Sequence, residues 1–395
     1  MGSYSELYIS DYPICTAKNS YYEKIVNLIF LDTDYKEFER PLNKRNIITW
    51  GDSYGNEEEN EMFKAFCSTS RICMQRLELF GATYEKAKSD FESALQKIKD
   101  DEAYNFQSFE NITFESYLAN IKSIINSKKK TFNNNYCDNF IDYLQENELF
   151  VEYQSIKLGL WSILSVVDAE SEVEYNLTDI INGGWVSKVK KDVKTEKIIV
   201  LTEGKTDTEF LKVCLKNFFP HLEGFYHFMD FENSRYEANA SRLVHTIKSF
   251  VGSGIKNLIV ALFDNDSAAK KEIKNLRNVK LPSNIKILQY PPIEWANNYP
   301  TIGPNGIHFM DINGFAGSIE MYLGQDCLKE NNEFIPIQWT GYIESISQYQ
   351  GVINKKENVQ KAFREKAKKF DYSSYDINDW NELISIINTI NNIWK

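Results

Sequence analysis

Cysteine and histidine are scarce in this 395-residue chain: six cysteines, none in a C-x-x-C pair, and four histidines that form no cluster with them. That spacing excludes a zinc site built on Cys and His and a disulfide framework, and it points to a reducing cytoplasm. No stretch of apolar residues approaches the length of a membrane span. The opening MGSYSELYISDY lacks a basic region followed by an apolar run, so a soluble, unexported protein is expected. No internal period marks a solenoid. Net positive charge is missing too, the formal charge being −11, which argues against a surface covered throughout with phosphate-binding cations. The distribution is uneven, however. Residues 52 to 62 are acidic, whereas Lys188 to Lys197, Lys270 to Lys286 and Lys355 to Lys369 are locally basic. Such runs either track a phosphate backbone or balance nearby acids on solvated faces.

The length suffices for two or three domains. Residues 1 to about 50 alternate short apolar runs with Asp, Asn and Pro, the pattern of a few strands or short irregular segments. From about 62 to 100, apolar residues recur at three- and four-residue spacing, which predicts one or two amphipathic helices broken near Gly81. Helical patterns follow around 112 to 126 and 137 to 168, with SKKKTFNNNY as an exposed loop between them. Gly183, Gly184 and the lysines after them read as a linker, placing a domain boundary near 185 to 195.

Beyond it, strand and helix alternate. KIIVLTEG is a continuous apolar run ending in a turn, as in a strand covered on both faces. Thr206 and Glu209 then stand at capping-box spacing before the helical FLKVCLKNFF. FYHFMDF, NLIVALFDND and NIKILQY read as further strands with helices between them. This order implies right-handed crossovers and a parallel sheet flanked by helices. In such sheets sites form outside the carboxyl ends of the strands. The acids fall there: Glu203 follows IIVLT, and Asp264 and Asp266 follow LIVALF. Three carboxylates brought together repel one another unless a cation sits among them. A hard ion such as Mg²⁺ or Mn²⁺ relieves that repulsion and can polarise a phosphoryl group or activate a water, so phosphoryl transfer or hydrolysis is the implied chemistry.

On TEGKTD and FDND, residues 195 to about 330 resemble the Toprim family, the catalytic domain shared by type IA and II topoisomerases, bacterial primases, small repair nucleases and the overcoming-lysogenisation-defect nucleases. The resemblance implies an α/β Toprim domain in which Glu203 is a general acid or base that also helps with metal, while Asp264 and Asp266 bind metal. The lysogenisation-defect branch also has an acid four residues after its glutamate, matched by Asp207, and a small-x-x-Glu motif for a second metal, matched by Gly317 and Glu320 in GSIEMYL. Asp207 has a purely structural reading as well, since an acid in the first turn of a helix meets the macrodipole favourably. Glu320 is otherwise a solvated helix residue. That branch also uses a lysine near its second metal, a role among Lys361, Lys366 and Lys368 that spacing does not decide. MGSYSELYISDYPI and FERPLNKRNIITWGD look like the N-terminal domain found beside Toprim or HEPN domains in bacterial defence proteins. The likeness covers about 1 to 190 and implies an antiviral setting controlled by a partner or phage signal.

The expected organisation is therefore a mainly α-helical N-terminal domain over 1–190, an α/β Toprim catalytic domain over 195–335 and a small helical segment over 336–395. The expected activity is that of a Mg²⁺- or Mn²⁺-dependent endonuclease acting on DNA or RNA. The alternatives are a non-catalytic Toprim-fold sensor or partner-binding protein and a primase-like nucleotidyl transferase. The GKT string is not a phosphate-binding P-loop, because Ile199 stands where that loop needs a glycine. Any nucleotide-driven step thus requires a separate ATPase or sensor subunit. An active HEPN ribonuclease is excluded from the N-terminal half, since all four histidines lie at His221 or beyond. His245, among apolar residues, reads as a packing histidine. A covalent topoisomerase-like tyrosine is disfavoured for want of further large domains. Trp185, Trp295, Trp339, Trp380 and Trp394 fill cores or stack on bases. Helical partner domains often form homo-oligomers, but no heptad run here is long enough to set one.

Overall fold

Strand β1 (Tyr4–Ile9) turns into β2 (Tyr12–Lys18) through Ser10 and Asp11, whose φ angles of 51° and 63° are those a two-residue hairpin of matching twist requires. In this computed structural model, residues 2–42, 49, 59–100, 111–129, 139–187, 197–229 and 239–395 are described. Most of the acidic segment at 52 to 62, most of the SKKKTFNNNY loop, Cys137, the basic run from Lys188 up to residue 196 and much of the expected boundary lie outside the described residues. The chain divides into two compact units, residues 1–196 with 394–395, and residues 197–393.

The first unit continues with α1 (Glu23–Ile29), β3 (Tyr35–Pro41), β4 (Asn60–Thr69), α2 (Ser70–Leu79), α3 (Tyr84–Asp100), α4 (Phe114–Ser127), α5 (Phe140–Glu146), α6 (Ile156–Ser165), β5 (Glu172–Asn176) and α7 (Thr178–Asn182). Its strands form one sheet in the order β2-β1-β5-β4-β3, antiparallel at every junction. Leu7, Phe66 and Tyr175 from the sheet share a core with Phe91, Tyr117 and Leu160 from the helices. The expectation of a mainly helical domain is thereby corrected to mixed α/β. The misreading falls on MFKAFCST, which is β4 and not the start of a helix. Phe63, Ala65 and Phe66 are all buried, and burial on both faces erases the period-two alternation that marks a strand. The helix expected over 137 to 168 is two, interrupted where Glu148, Leu149 and Tyr153 adopt positive φ.

The second unit begins with β6 (Ile198–Leu201), α8 (Lys205–Phe218), α9 (Pro220–Glu223), β7 (Tyr226–Phe228), α10 (Ala240–Ser253), β8 (Ile259–Phe263), β9 (Asn265–Asp266), α11 (Ser267–Ile273) and β10 (Ile285–Gln289). Here β10-β8-β6-β7 form a parallel sheet. Every residue of β8 is at most 1% exposed, which is why IVALF reads as an unbroken apolar run. The chain goes from β6 outward to β7 on one side and then crosses to β8 on the other, so a topological switch point lies between β6 and β8.

A second sheet follows, in the order β12-β11-β16-β17, from β11 (Tyr299–Gly303), β12 (Gly306–Met310), β16 (Ile337–Ile343) and β17 (Gln348–Ile353). Between them lie the short β13 (Ala316–Gly317), β14 (Lys329–Glu330) and β15 (Glu333–Phe334); α12 (Lys356–Lys368) and α13 (Asn381–Asn392) close the unit. The expected small helical C-terminal segment is corrected accordingly, since β16 and β17 precede its two helices. No described helix is long and apolar enough to cross a membrane.

Candidate functional site

Thr202 and Glu203 leave the carboxyl end of β6, and Asp264 leaves that of β8, so the switch point is flanked by acids from both strands. The Glu203 Oε1 accepts a hydrogen bond from the Asp264 backbone N–H at 2.9 Å. Asp266 caps α11, its Oδ1 accepting from Ala269 N at 2.7 Å, while its Oδ2 accepts from Gln350 Nε2 at 2.8 Å. One aspartate thus serves helix and site together. Asp207 is buried in the first turn of α8 and accepts from the Tyr290 hydroxyl at 2.5 Å. The expected capping box at Thr206 and Glu209 does not form: Gly204 is the N-cap without a side-chain bond. Glu209 instead holds Arg364 in a two-point pair at 2.7 and 2.8 Å.

Glu320 is 0% exposed, not a solvated helix residue, and its carboxylate accepts from Ser318 Oγ at 2.7 Å and Gln360 Nε2 at 2.7 Å. Lys356 Nζ lies 3.1 Å from Oε2, the oxygen that also accepts from Ser318. Glu320 reaches this place because β13 pairs with β9, setting Gly317 opposite Asn265 and Ala316 opposite Asp266. A Cβ on Gly317 would stand 2.6 Å from the Asn265 carbonyl oxygen, so only glycine permits the approach of the two segments.

These five carboxylates feel one another. Burial, followed by repulsion from Asp207, Glu203, Asp266 and Glu320, holds the Asp264 carboxyl well above its ordinary range. Burial pushes Glu203 up to about 8, opposed by the Asp264 N–H and reinforced by Asp266 and Asp207. Asp207 is pushed up to about 6 by burial against the Tyr290 hydrogen bond, with Glu320 repelling it. Asp266 is raised by burial, opposed by its hydrogen bonds from Ala269 and Gln350. Among the described residues the buried Asp264 Oδ1 has no hydrogen-bond partner. An unsatisfied carboxylate oxygen amid repelling oxygen donors is the donor set that suits a hard divalent cation. Asp264, Asp266 and Glu203, with Asp207 and Glu320 beside them, are the residues able to hold one.

Lys356 lies in the basic run from Lys355 to Lys369 but is not one of the three lysines considered for the second metal. Half-exposed at 51%, it opens α12, where a cation opposes the helix macrodipole. Burial draws its ammonium down, but Glu320, Asp264 and Asp207 outweigh that and hold it above its usual range. A lysine at the wrong end of a helix was the available signal. Of the lysines weighed earlier, Lys366 is a structural clip, donating to Leu323 O at 2.6 Å, Asp326 at 2.8 Å and Asp379 O at 2.9 Å. Lys368 pairs with Glu365 at 2.8 Å, and Lys361 is exposed. Gln350, Gln360 and Tyr290 likewise escaped notice, because nothing in their spacing announces an acid partner. His245, expected to pack, is exposed.

A second group lies in the first unit. Cys67, Glu172 and Glu174 bring ligand atoms within 4.8 Å of one another, the one such group among the described residues. No three of the acids around Asp264 come that close. Glu174, however, already has a protein cation: Arg40 grips both its oxygens at 2.9 and 3.1 Å. An ion pair accounts for that cluster without a metal.

A family model for the HEPN/Toprim N-terminal domain 1 matches residues 1–199, the first unit and the start of β6. No curated protein and no solved structure matches the chain. The matched half is the one expected to carry a domain of this kind, while the acids belong to the other half. On that match the chain belongs to the HEPN/Toprim N-terminal domain 1 family.

Proposed function

We propose that the second unit is a Toprim nuclease that hydrolyses phosphodiester bonds of DNA or RNA with Mg²⁺ or Mn²⁺. The observation that carries the reading is the convergence of Glu203, Asp264, Asp266, Asp207 and Glu320 at the switch point of a parallel sheet, with the Asp264 Oδ1 unpartnered. When bound, a divalent ion supplies Lewis-acid polarisation of a phosphoryl oxygen and a nucleophilic water. Asp264 and Asp266 hold that ion, with Glu203 alongside, and Asp207 and Glu320 form a second position. Glu203, pushed up to about 8, carries a proton near neutral pH until a cation displaces it, which suits a residue that exchanges protons with the attacking water or the leaving oxygen. Lys356 sets a positive charge beside Glu320 and toward Asp264 and Asp207, where it neutralises a phosphate, and it is the lysine that the Toprim resemblance calls for.

The setting that goes with this activity is a bacterial antiviral effector in the cytoplasm, controlled through its N-terminal unit by a sensor or ATPase partner or by self-association. A non-catalytic sensor is the second reading. It draws on Glu320, whose carboxylate is already held by Ser318, Gln360 and Lys356 without an ion. Labelled plasmid, single-stranded DNA and total RNA incubated with Mn²⁺, Mg²⁺ or EDTA, beside Asp264→Ala, decide between them. Metal-dependent products absent from the variant support the nuclease. Equal products from both proteins sink it, and no products with any substrate favour the sensor.

A further inference from the structure

The second sheet of this unit carries a feature that the acid cluster does not use. Thr301, His308, Met310, Phe315, Trp339 and Tyr349 line a cleft of about 290 Å³. Its walls are aromatic and set at angles to one another. The Phe315 and Trp339 rings stand 6.3 Å apart at 85°, and Trp339 and Tyr349 stand 6.3 Å apart at 62°. Tyr349 is 57% exposed, with Tyr342 against it at 5.0 Å, so an aromatic surface stays open to solvent at the cleft. Asn305 and Asp311 also line the cleft, and with His308 they are residue types whose amide, carboxylate and imidazole groups can bond the edge of a planar heterocycle.

Two further observations say what occupies the cleft. One is charge: Lys270 Nζ lies 5.3 Å from the centroid of the Phe315 ring, and Lys271 and Lys274 follow it along and just beyond α11, within the basic run singled out in the sequence. The other is continuity with the acids. The Tyr349 carbonyl accepts from Ser267 Oγ at 2.7 Å, and the next residue, Gln350, accepts from Ala268 N at 2.8 Å and donates to Asp266 at 2.8 Å. The helix that Asp266 caps therefore carries the lysines and is bonded to the strand that contributes Tyr349 to the cleft and Gln350 to the acids. A polyanion whose phosphates meet the lysines and whose scissile bond meets the acids brings its bases to the aromatic walls.

We propose that this cleft receives one unpaired nucleobase of the substrate, stacked against Trp339 and Tyr349, so that the substrate is single-stranded where it crosses the sheet. The inference rests on the phosphodiester-cleaving reading and adds its substrate class. Stacking on aromatic side chains accepts any base, whereas a base within a duplex has both faces covered already and enters such a slot only when extruded.

The test measures binding apart from cleavage. Full-length protein in EDTA is titrated into fluorescent oligonucleotides of about 12 nucleotides, a length that single-strand sites span, as deoxy strand, ribo strand and duplex, and anisotropy is read. Wild type should prefer a single strand, and the two single-stranded arms tell DNA from RNA. Trp339→Ala and Tyr349→Ala should each weaken that binding about 5- to 150-fold, the range for one lost stacking partner, and Trp339→Phe should retain most of it. Because Tyr349 is exposed, its variant keeps the fold even where Trp339→Ala does not. Unchanged affinity in Tyr349→Ala, equal binding of duplex and single strand, or no oligonucleotide binding overturns the proposal, and the last would leave the cleft to a peptide. Cleavage with Mn²⁺ is scored separately. Cutting unaffected by the cleft variants removes the base site and leaves the nuclease standing; cleft-dependent binding without cutting does the reverse.

Discussion

Glu203→Gln should flatten the pH dependence of stability in metal-free protein. In the folded chain the Glu203 carboxyl, ordinarily near 4.5, is pushed up to about 8 by burial and by Asp266 and Asp207. Folded protein therefore keeps a proton that the unfolded chain has released. The contribution is fully present below about pH 4.5 and is lost as pH climbs toward about 8. Between about pH 5.5 and 8 the loss is on the order of 3 kcal/mol, at about 1.4 kcal/mol per pH unit for one proton. For a unit of this size that corresponds to roughly 6–12 °C in melting temperature. Glutamine keeps the acceptor for the Asp264 N–H and removes the titration. Scanning calorimetry in EDTA across that window should show wild type losing stability and Glu203→Gln losing about that much less. Saturating Mg²⁺ should restore wild type more at high pH than at low, since cation and proton compete for the same oxygens. Equal pH slopes in the two proteins would refute the account of the buried acids.

Gly317→Ala places a methyl 2.6 Å from the Asn265 carbonyl oxygen and 2.9 Å from its Cβ; an overpacking cost of about 1–3 kcal/mol and cleavage lowered by about 100-fold through displaced acids are expected, and a variant of normal melting temperature and activity would show that β9 and β13 yield freely. Lys356→Gln should lower the cleavage rate by about 10²-fold or more if its charge stabilises the reacting phosphate, with partial recovery in Lys356→Arg; unaltered single-turnover rates would remove Lys356 from the site. Lys366→Ala should do the opposite, destabilising by about 1–3 kcal/mol because three acceptors lose their donor while single-turnover cleavage below the melting transition stays near wild type; chemical denaturation and the same assay check both halves.

Much of the parallel sheet was legible because β6 and β8 are buried on both faces and bear only apolar residues, so KIIVLTEG and NLIVALFDND announce strands and their ends mark where acids emerge. Two-sided burial had the reverse effect in β4, where it removed the alternation and left a spacing that mimics a helix. Strands β16 and β17 were hidden for a different reason. They lie at and beside the border of a small sheet, where polar and aromatic residues such as Gln338, Tyr342 and Gln350 alternate with few fully buried partners.

Position along the chain could nominate Glu203, Asp207, Asp264, Asp266 and Glu320, since carboxylates after strands and a small residue three before an acid are local patterns. Their supports are not local. Lys356, Gln350 and Gln360 meet the acids through the pairing of β13 with β9 and the packing of β17 and α12 on that edge, and Tyr290 meets Asp207 because β10 pairs with β8. The sequence by itself marked β6 and β8 as buried strands and showed which carboxylates leave their ends, because burial and strand exit are written there in neighbouring residues. Only the tertiary structure decided which lysine faces the acids and which aromatic rings line a common cleft, because charge and stacking act across space between residues far apart in the chain.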